Sequence, residues 1–282
     1  MNILQASITG LVQGLTEFLP ISSSGHLVLT SSIFKLITGK SMKTGGDEEI
    51  FFDIMLHVAT LIAVFIYFRK DLKHLTAVFF KSLKDRTLKT DKEAQFPIFI
   101  TVGTLASVAV AYPLKDFFES LVYNPSAVGL ILILTGVILY SSEILAERIK
   151  NKTNELSIKK SLIIGIFQGF AVAPGLSRSG STIAVGLACG LDRVKSARYS
   201  FLLSIPIIIL AAFFNAFGMT GISEVVKFNW TAIIIGCLVS GVSGYYCIKY
   251  LLIFLSKYKL NIFAYYCWVI GIFMFFFFSR VH

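Results

Sequence analysis

The chain has 282 residues, of which 55% are hydrophobic and 15% charged, and it carries a net charge of +10. A soluble domain has about 25% charged residues, so this composition excludes a water-soluble fold and makes lipid part of the solvent. The basic excess lies in short loops between apolar runs; that is the pattern of membrane topology, and no nucleic-acid partner is expected.

Met1 runs directly into ILQASITGLVQGLTEFLP with no basic region before it and no small-residue cleavage site after it, so no cleavable signal peptide is expected. The first apolar stretch, 3–37, is interrupted by ISSSGH at 21–26. Spanning helices are predicted at 50–68, 96–114 and 126–142. A second interrupted stretch, 161–191, carries LSRSGST at 176–182, and further spans follow at 199–217, 229–247 and 262–278. Each of the six is close to the roughly 20 residues needed to cross the hydrocarbon core. Ser and Gly at this density break a helix. Broken backbone is tolerated at membrane depth only where protein buries it or it lines a wet cavity. Both interrupted stretches therefore read as re-entrant helix–loop–helix hairpins, with ordinary kinked spanning pairs as the alternative. The expected fold class is an all-α polytopic membrane protein with six transmembrane helices plus two such hairpins. Cys189, Cys237, Cys247 and Cys267 lie in apolar segments without metal-ligand spacing and read as small buried hydrophobes.

Loop charge sets the orientation. Loops 69–95, 143–160, 192–198 and 248–260 hold 19 Lys and Arg, against five in 38–49, 115–125, 218–228 and the C-terminal tail. The positive-inside rule places the first group in the cytoplasm. The alternation closes only if each hairpin enters and leaves on one side, the first from outside and the second from inside, with both termini outside.

A shift of 155 residues superposes Gly10, Gln13, Gly14, Ser22, Ser24 and Gly25 on Gly165, Gln168, Gly169, Ser177, Ser179 and Gly180 without a gap. Three spans follow each broken stretch. The chain therefore reads as one membrane domain of two halves, about 1–142 and 161–278, and their opposite entry sides make the repeat inverted. Such repeats place a site at their interface near mid-membrane.

Ser22 and Ser177 are natural N-caps for the second helix of each hairpin. Free N–H groups and the helix dipole at those starts favour an anion, phosphate above all. The halves differ where chemistry is expected: Glu17 stands against Val172, Ser23 against Arg178, and His26 against Ser181. Glu17 is costly in an apolar stretch unless paired or hydrated, and it is read either as a catalytic acid or as the structural partner of Arg178. Arg178 can grip phosphate with a planar fork. Gln13 lies one helical turn before Glu17 on the same face. His57 and Asp53, one turn apart, are read either as support for the site or as an internally bonded pair. Thr182 adds a hydroxyl after the second break.

QGLTEFLPISSSGH at 13–26, PGLSRSGSTI at 174–183 and FDIMLHVATLIAV at 52–64 resemble the conserved stretches of the undecaprenyl-pyrophosphate phosphatases of the bacitracin-resistance type. The resemblance runs over essentially the whole chain, with Gln13 where some members have Glu. It implies hydrolysis of a C55 polyprenyl pyrophosphate to the monophosphate and inorganic phosphate. That reaction regenerates the carrier lipid for peptidoglycan and confers bacitracin resistance. The resemblance further implies a bacterial plasma-membrane protein, a site on the outer side and a divalent cation (Mg²⁺ or Ca²⁺), and it allows a homodimer. Carried over by position, Glu17, Ser23, His26 and Arg178 form the catalytic core. Gln13, Ser22, Ser24, Gly25, Ser177, Ser179, Gly180 and Thr182 surround the substrate. Glu17 with Gln13 would hold the cation, and His26 would be the nucleophile or the base that activates Ser23 or water. The alternative from another class is a flippase of an anionic polyprenyl phosphate lipid, which needs phosphate-binding groups but no proton-transfer residue.

Overall fold

In the computed structural model the described residues are 2–39, 47–149, 153–217 and 228–280. Much of the expected loops 38–49 and 218–228, and the centre of 143–160, lie outside them. Among the described residues there are eleven α-helices, one short 3₁₀ turn (Leu121–Tyr123) and no strand. The helices are α1 (Ile3–Thr16), α2 (Ser23–Thr38), α3 (Asp47–Tyr67), α4 (Arg69–Lys84), α5 (Phe96–Ser120), α6 (Pro125–Arg148), α7 (Ile158–Phe170), α8 (Arg178–Ala188), α9 (Arg193–Phe217), α10 (Trp230–Leu255) and α11 (Asn261–Phe278).

Six of them are long and apolar enough to cross a membrane: Ile50–Tyr67, Phe96–Phe118, Pro125–Arg148, Arg193–Phe214, Trp230–Leu255 and Asn261–Phe278. These are the six spans expected from the sequence. Both Ser/Gly clusters interrupt helix as expected. α1 stops at Thr16 and α2 starts at Ser23, while α7 stops at Phe170 and α8 starts at Arg178. The four helices flanking the breaks have 11 to 16 residues, too few to span at 1.5 Å per residue.

One expected loop is not a loop. Residues 69–84 form α4, with Leu75 and Ser82 buried, Asp71 in the first turn, and Lys81 and Lys84 in the last. Those charges oppose the helix dipole at both ends. Asp91 closes the turn that follows: its carboxylate accepts from the backbone N–H groups of Glu93 and Ala94 and from Ser82 Oγ. Its pKa is lowered, first by the Ala94 N–H. The basic end of the bundle is further tied by a half-buried pair, its carboxylate buried and its guanidinium partly exposed. Arg193 donates to both oxygens of Glu143, through Nε at 2.8 Å and Nη2 at 2.5 Å, and the Leu260 N–H adds a third bond at 2.8 Å.

The repeated glycines do the same work twice. α1 packs along α10 and α7 along α5. A Cβ on Gly10 would lie 2.3 Å from the Gly236 carbonyl oxygen, and one on Gly165 the same distance from that of Gly103. One turn on, Gly14 faces the Ser240 carbonyl and Gly169 that of Ser107, at 2.4 and 2.7 Å. Small residues at these crossings let backbones approach where no hydrophobic force joins helices in lipid. The first helix of each hairpin thus packs on a span of the other half, which brings the two breaks together.

Candidate functional site

The breaks are stitched to each other by equivalent serines. Ser24 Oγ, in the first, accepts from the Gly175 N–H at 3.3 Å, and Ser179 Oγ, in the second, donates to the Leu19 carbonyl at 3.0 Å. Ser22 and Ser177 are N-caps as expected, accepting from the Gly25 N–H at 3.2 Å and the Gly180 N–H at 2.9 Å. Gly25 and Gly180 leave room for this approach: a Cβ would lie 3.4 Å from Gly175 Cα in one case and 3.3 Å from the Pro20 carbonyl oxygen in the other.

The chemistry expected from the two halves converges on Glu17. Arg178 Nη2 donates to Glu17 Oε1 at 2.6 Å. Glu17 Oε2 accepts from Ser23 Oγ at 2.8 Å and from Gln13 Nε2 at 3.0 Å. His57 Nε2 lies 3.8 Å from the same oxygen, while His57 Nδ1 donates to the Asp53 carbonyl at 2.8 Å. Burying this carboxylate alone would be prohibitive; ringed by a guanidinium and three polar partners, it is compensated. Arg178 Nη1 is buried and has no partner among the described residues.

Glu17, Ser23, His57 and Arg178 border a cavity of about 470 Å³. Its polar wall contains Glu17, Ser22, Ser23, Ser24, Asp53, His57, Ser177 and Arg178. Ile50 and Ile54 of α3 and Ile207, Ile208, Ala211 and Ala212 of α9 add an apolar lining. The cavity thus offers contacts both to an anion and to a hydrocarbon chain.

Several expected residues lie elsewhere. Gln13, Gly25, Ser179, Gly180 and Thr182 support the breaks without lining the cavity. Thr182 Oγ1 is spent within the protein, 2.8 Å from the Arg178 carbonyl and 2.6 Å from Ser200 Oγ. His26 is also off the cavity wall, held between the Ser22 carbonyl and Tyr266. Its counterpart in the cavity is His57, which the sequence leaves between two readings.

A divalent cation fits one part of the expected ligand set. Of that set Glu17 lines the cavity, and Asp53, outside the set, lines it too; carboxylate oxygen is the hard chemistry that Mg²⁺ and Ca²⁺ take. Gln13 is fully buried and its Oε1 has no partner among the described residues, but Oε1 of Gln168, its repeat counterpart outside the cavity, is equally unpartnered there. That oxygen therefore follows the repeat and does not mark a ligand. Among the described residues no group of three or more His, Cys, Asp or Glu gathers in a metal-binding cluster.

The sequence matches the family described as bacitracin resistance protein BacA over residues 6–273. It is 41% identical to an undecaprenyl-diphosphatase of Halothermothrix orenii, over 96% of each chain. Another so named, from Methanosphaera stadtmanae, is also 41% identical over 96% of each chain. Undecaprenyl-diphosphatase 3 of Bacillus cereus is 37% identical over the same shares.

Proposed function

The chain belongs to the bacitracin resistance protein BacA family, and from that premise we propose that it hydrolyses undecaprenyl pyrophosphate to undecaprenyl phosphate and inorganic phosphate. The reaction returns the carrier lipid to cell-wall synthesis and confers bacitracin resistance, in keeping with the family's description. The observation that carries this reading is one cavity lined by the Arg178 guanidinium and by a serine hydroxyl bonded to a carboxylate.

The pyrophosphate lies at the polar wall and the polyprenyl chain leaves along the isoleucines of α3 and α9. Arg178 binds the phosphoryl oxygens through its guanidinium, and the starts of α2 and α8 add their dipoles. Glu17 takes the Ser23 proton as Ser23 Oγ attacks the terminal phosphorus. The Oγ–P bond forms as the anhydride P–O bond breaks, and undecaprenyl phosphate leaves with the electron pair. Water then attacks the phosphoserine and the Oγ–P bond breaks; Glu17 returns its proton to the departing Ser23 Oγ, and inorganic phosphate leaves with the two protons of the water. Positioning and charge compensation carry most of such a transfer. A divalent cation would be held by Glu17, Asp53 and the substrate's own oxygens, and when bound it neutralises charge on the pyrophosphate.

The protein is multi-pass in a membrane. We place it in the bacterial plasma membrane with the breaks as re-entrant hairpins of an inverted repeat and the cavity open to the outer side, on the strength of the loop-charge split. Product analysis tests the function. Purified protein given C55 pyrophosphate labelled in its terminal phosphate should yield labelled inorganic phosphate and undecaprenyl phosphate. Intact lipid moved between leaflets without phosphate release would instead establish a flippase.

A further inference from the structure

The two breaks differ at one backbone torsion. Ser22 sits at φ 69° and ψ 102°, whereas its counterpart Ser177 has φ −70° and ψ 117°. A positive φ is strained for any residue with a Cβ, and it persists only where the surroundings over-determine it. Around Ser22 the extra constraint falls on its carbonyl. That oxygen accepts from the His26 backbone N–H at 3.2 Å and from the His26 ring at 2.7 Å. At the second break the Ser177 carbonyl accepts from the Ser181 backbone N–H at 2.8 Å, and the Ser181 hydroxyl has no partner among the described residues. The strained turn and the imidazole occur together, in the half that carries Ser23.

A carbonyl oxygen only accepts, so His26 Nδ1 carries the proton. In the neutral ring the lone pair is then at Nε2, 2.8 Å from the Tyr266 hydroxyl, which donates to it. The two rings also stack, with centroids 5.6 Å apart and planes 8° apart. Tyr266 belongs to α11, and neither ring lines the cavity. Both nitrogens of His26 are therefore engaged by protein. The residue after Ser22 is Ser23, so the Ser22 torsion sets where the Ser23 hydroxyl points relative to Glu17.

We propose that Tyr266 and His26 are consecutive positioning residues. Tyr266 fixes His26 as its Nδ1–H tautomer, and that N–H holds the Ser22 carbonyl so that Ser23 Oγ stays aligned on Glu17. The proposal rests on the phosphatase reading and removes His26 from the nucleophile and base roles. The imidazole that meets substrate is that of His57.

Isosteres of the two ring nitrogens test it. An Asn amide nitrogen falls where Nδ1 was and can still donate to Ser22; a Gln amide reaches the Nε2 position and cannot. Phosphate release from C55 pyrophosphate is measured for wild type, His26→Asn, His26→Gln, His26→Ala and Tyr266→Phe. His26→Asn should stay within about tenfold of wild-type kcat, while His26→Gln and His26→Ala fall about 10²-fold or more. Tyr266→Phe should lower kcat by about three- to tenfold with KM unchanged, because it touches no cavity wall. With an active wild type, a His26→Gln enzyme equal to or better than His26→Asn overturns the proposal, as does an unchanged kcat in Tyr266→Phe. A wild type that releases no phosphate sinks the phosphatase reading itself, and the positioning role falls with it.

Discussion

Arg178 is paired with Glu17 and lines the cavity beside it. Its Nη2 donates to Glu17 Oε1 at 2.6 Å. The guanidinium neutralises the carboxylate and places a positive charge at the cavity wall. Removing the side chain should therefore do two kinds of harm. Arg178→Ala is expected to lower kcat/KM by at least about 10²-fold. Arg178→Lys keeps the charge but not the fork, and should retain part of the activity with a raised KM. Steady-state kinetics in detergent checks both, and equal losses in the two variants would show that the fork geometry, and not charge alone, is indispensable.

His57 faces the cavity with Nε2, 3.8 Å from Glu17 Oε2, and its side chain is 40% exposed. It is placed to touch a phosphoryl oxygen. His57→Ala should raise KM for C55 pyrophosphate by about tenfold, the effect of losing one substrate contact of roughly 1.4 kcal/mol. A variant with wild-type KM and kcat would remove His57 from the substrate site.

What the sequence reveals by itself depends on the range of the interaction. The six spans and both breaks follow from local hydropathy and Ser/Gly density, and the N-caps from the chemistry of Ser22 and Ser177. α4 is hidden because six Lys, Arg and Asp side chains in Arg69–Lys84 swamp the apolar signal of Leu75. Tyr266 is hidden for the opposite reason: inside AYYCW every position is apolar or aromatic, so no residue stands out, and its partner is 240 positions away. The place of Thr182 after the break suggests a hydroxyl turned to the site, but a helix turns 100° per residue and Ser200 claims that hydroxyl. The gathering of Glu17, Ser23 and Arg178 is legible only through the repeat, because Gly10 and Gly165 impose the same crossing on both hairpins.

The glycine crossings carry a stability prediction. Gly10→Ala and Gly165→Ala each drive a methyl to 2.3 Å from a backbone oxygen and should cost about 1–3 kcal/mol through forced helix separation. Gly241→Ala, whose nearest backbone atom is 3.3 Å away, should cost less. Thermal midpoints in one detergent rank the three; equal midpoints would show that the crossings are not tight.

Orientation is open to direct labelling. With Cys189, Cys237, Cys247 and Cys267 replaced, Ser120→Cys should react with an impermeant thiol reagent in intact cells. Asp85→Cys and Ser256→Cys, at the basic end, should react only after permeabilisation. The reverse pattern would invert the proposed topology and place the cavity on the cytoplasmic side.

The most direct test of the account compares phosphate release from C55 pyrophosphate by the wild-type protein and by Glu17→Gln, which keeps the size of the side chain and removes the carboxylate that accepts from Ser23. The account predicts turnover by the wild type and a loss of about 10²-fold or more in Glu17→Gln, with both proteins equally folded. A Glu17→Gln enzyme that releases phosphate at the wild-type rate would contradict it.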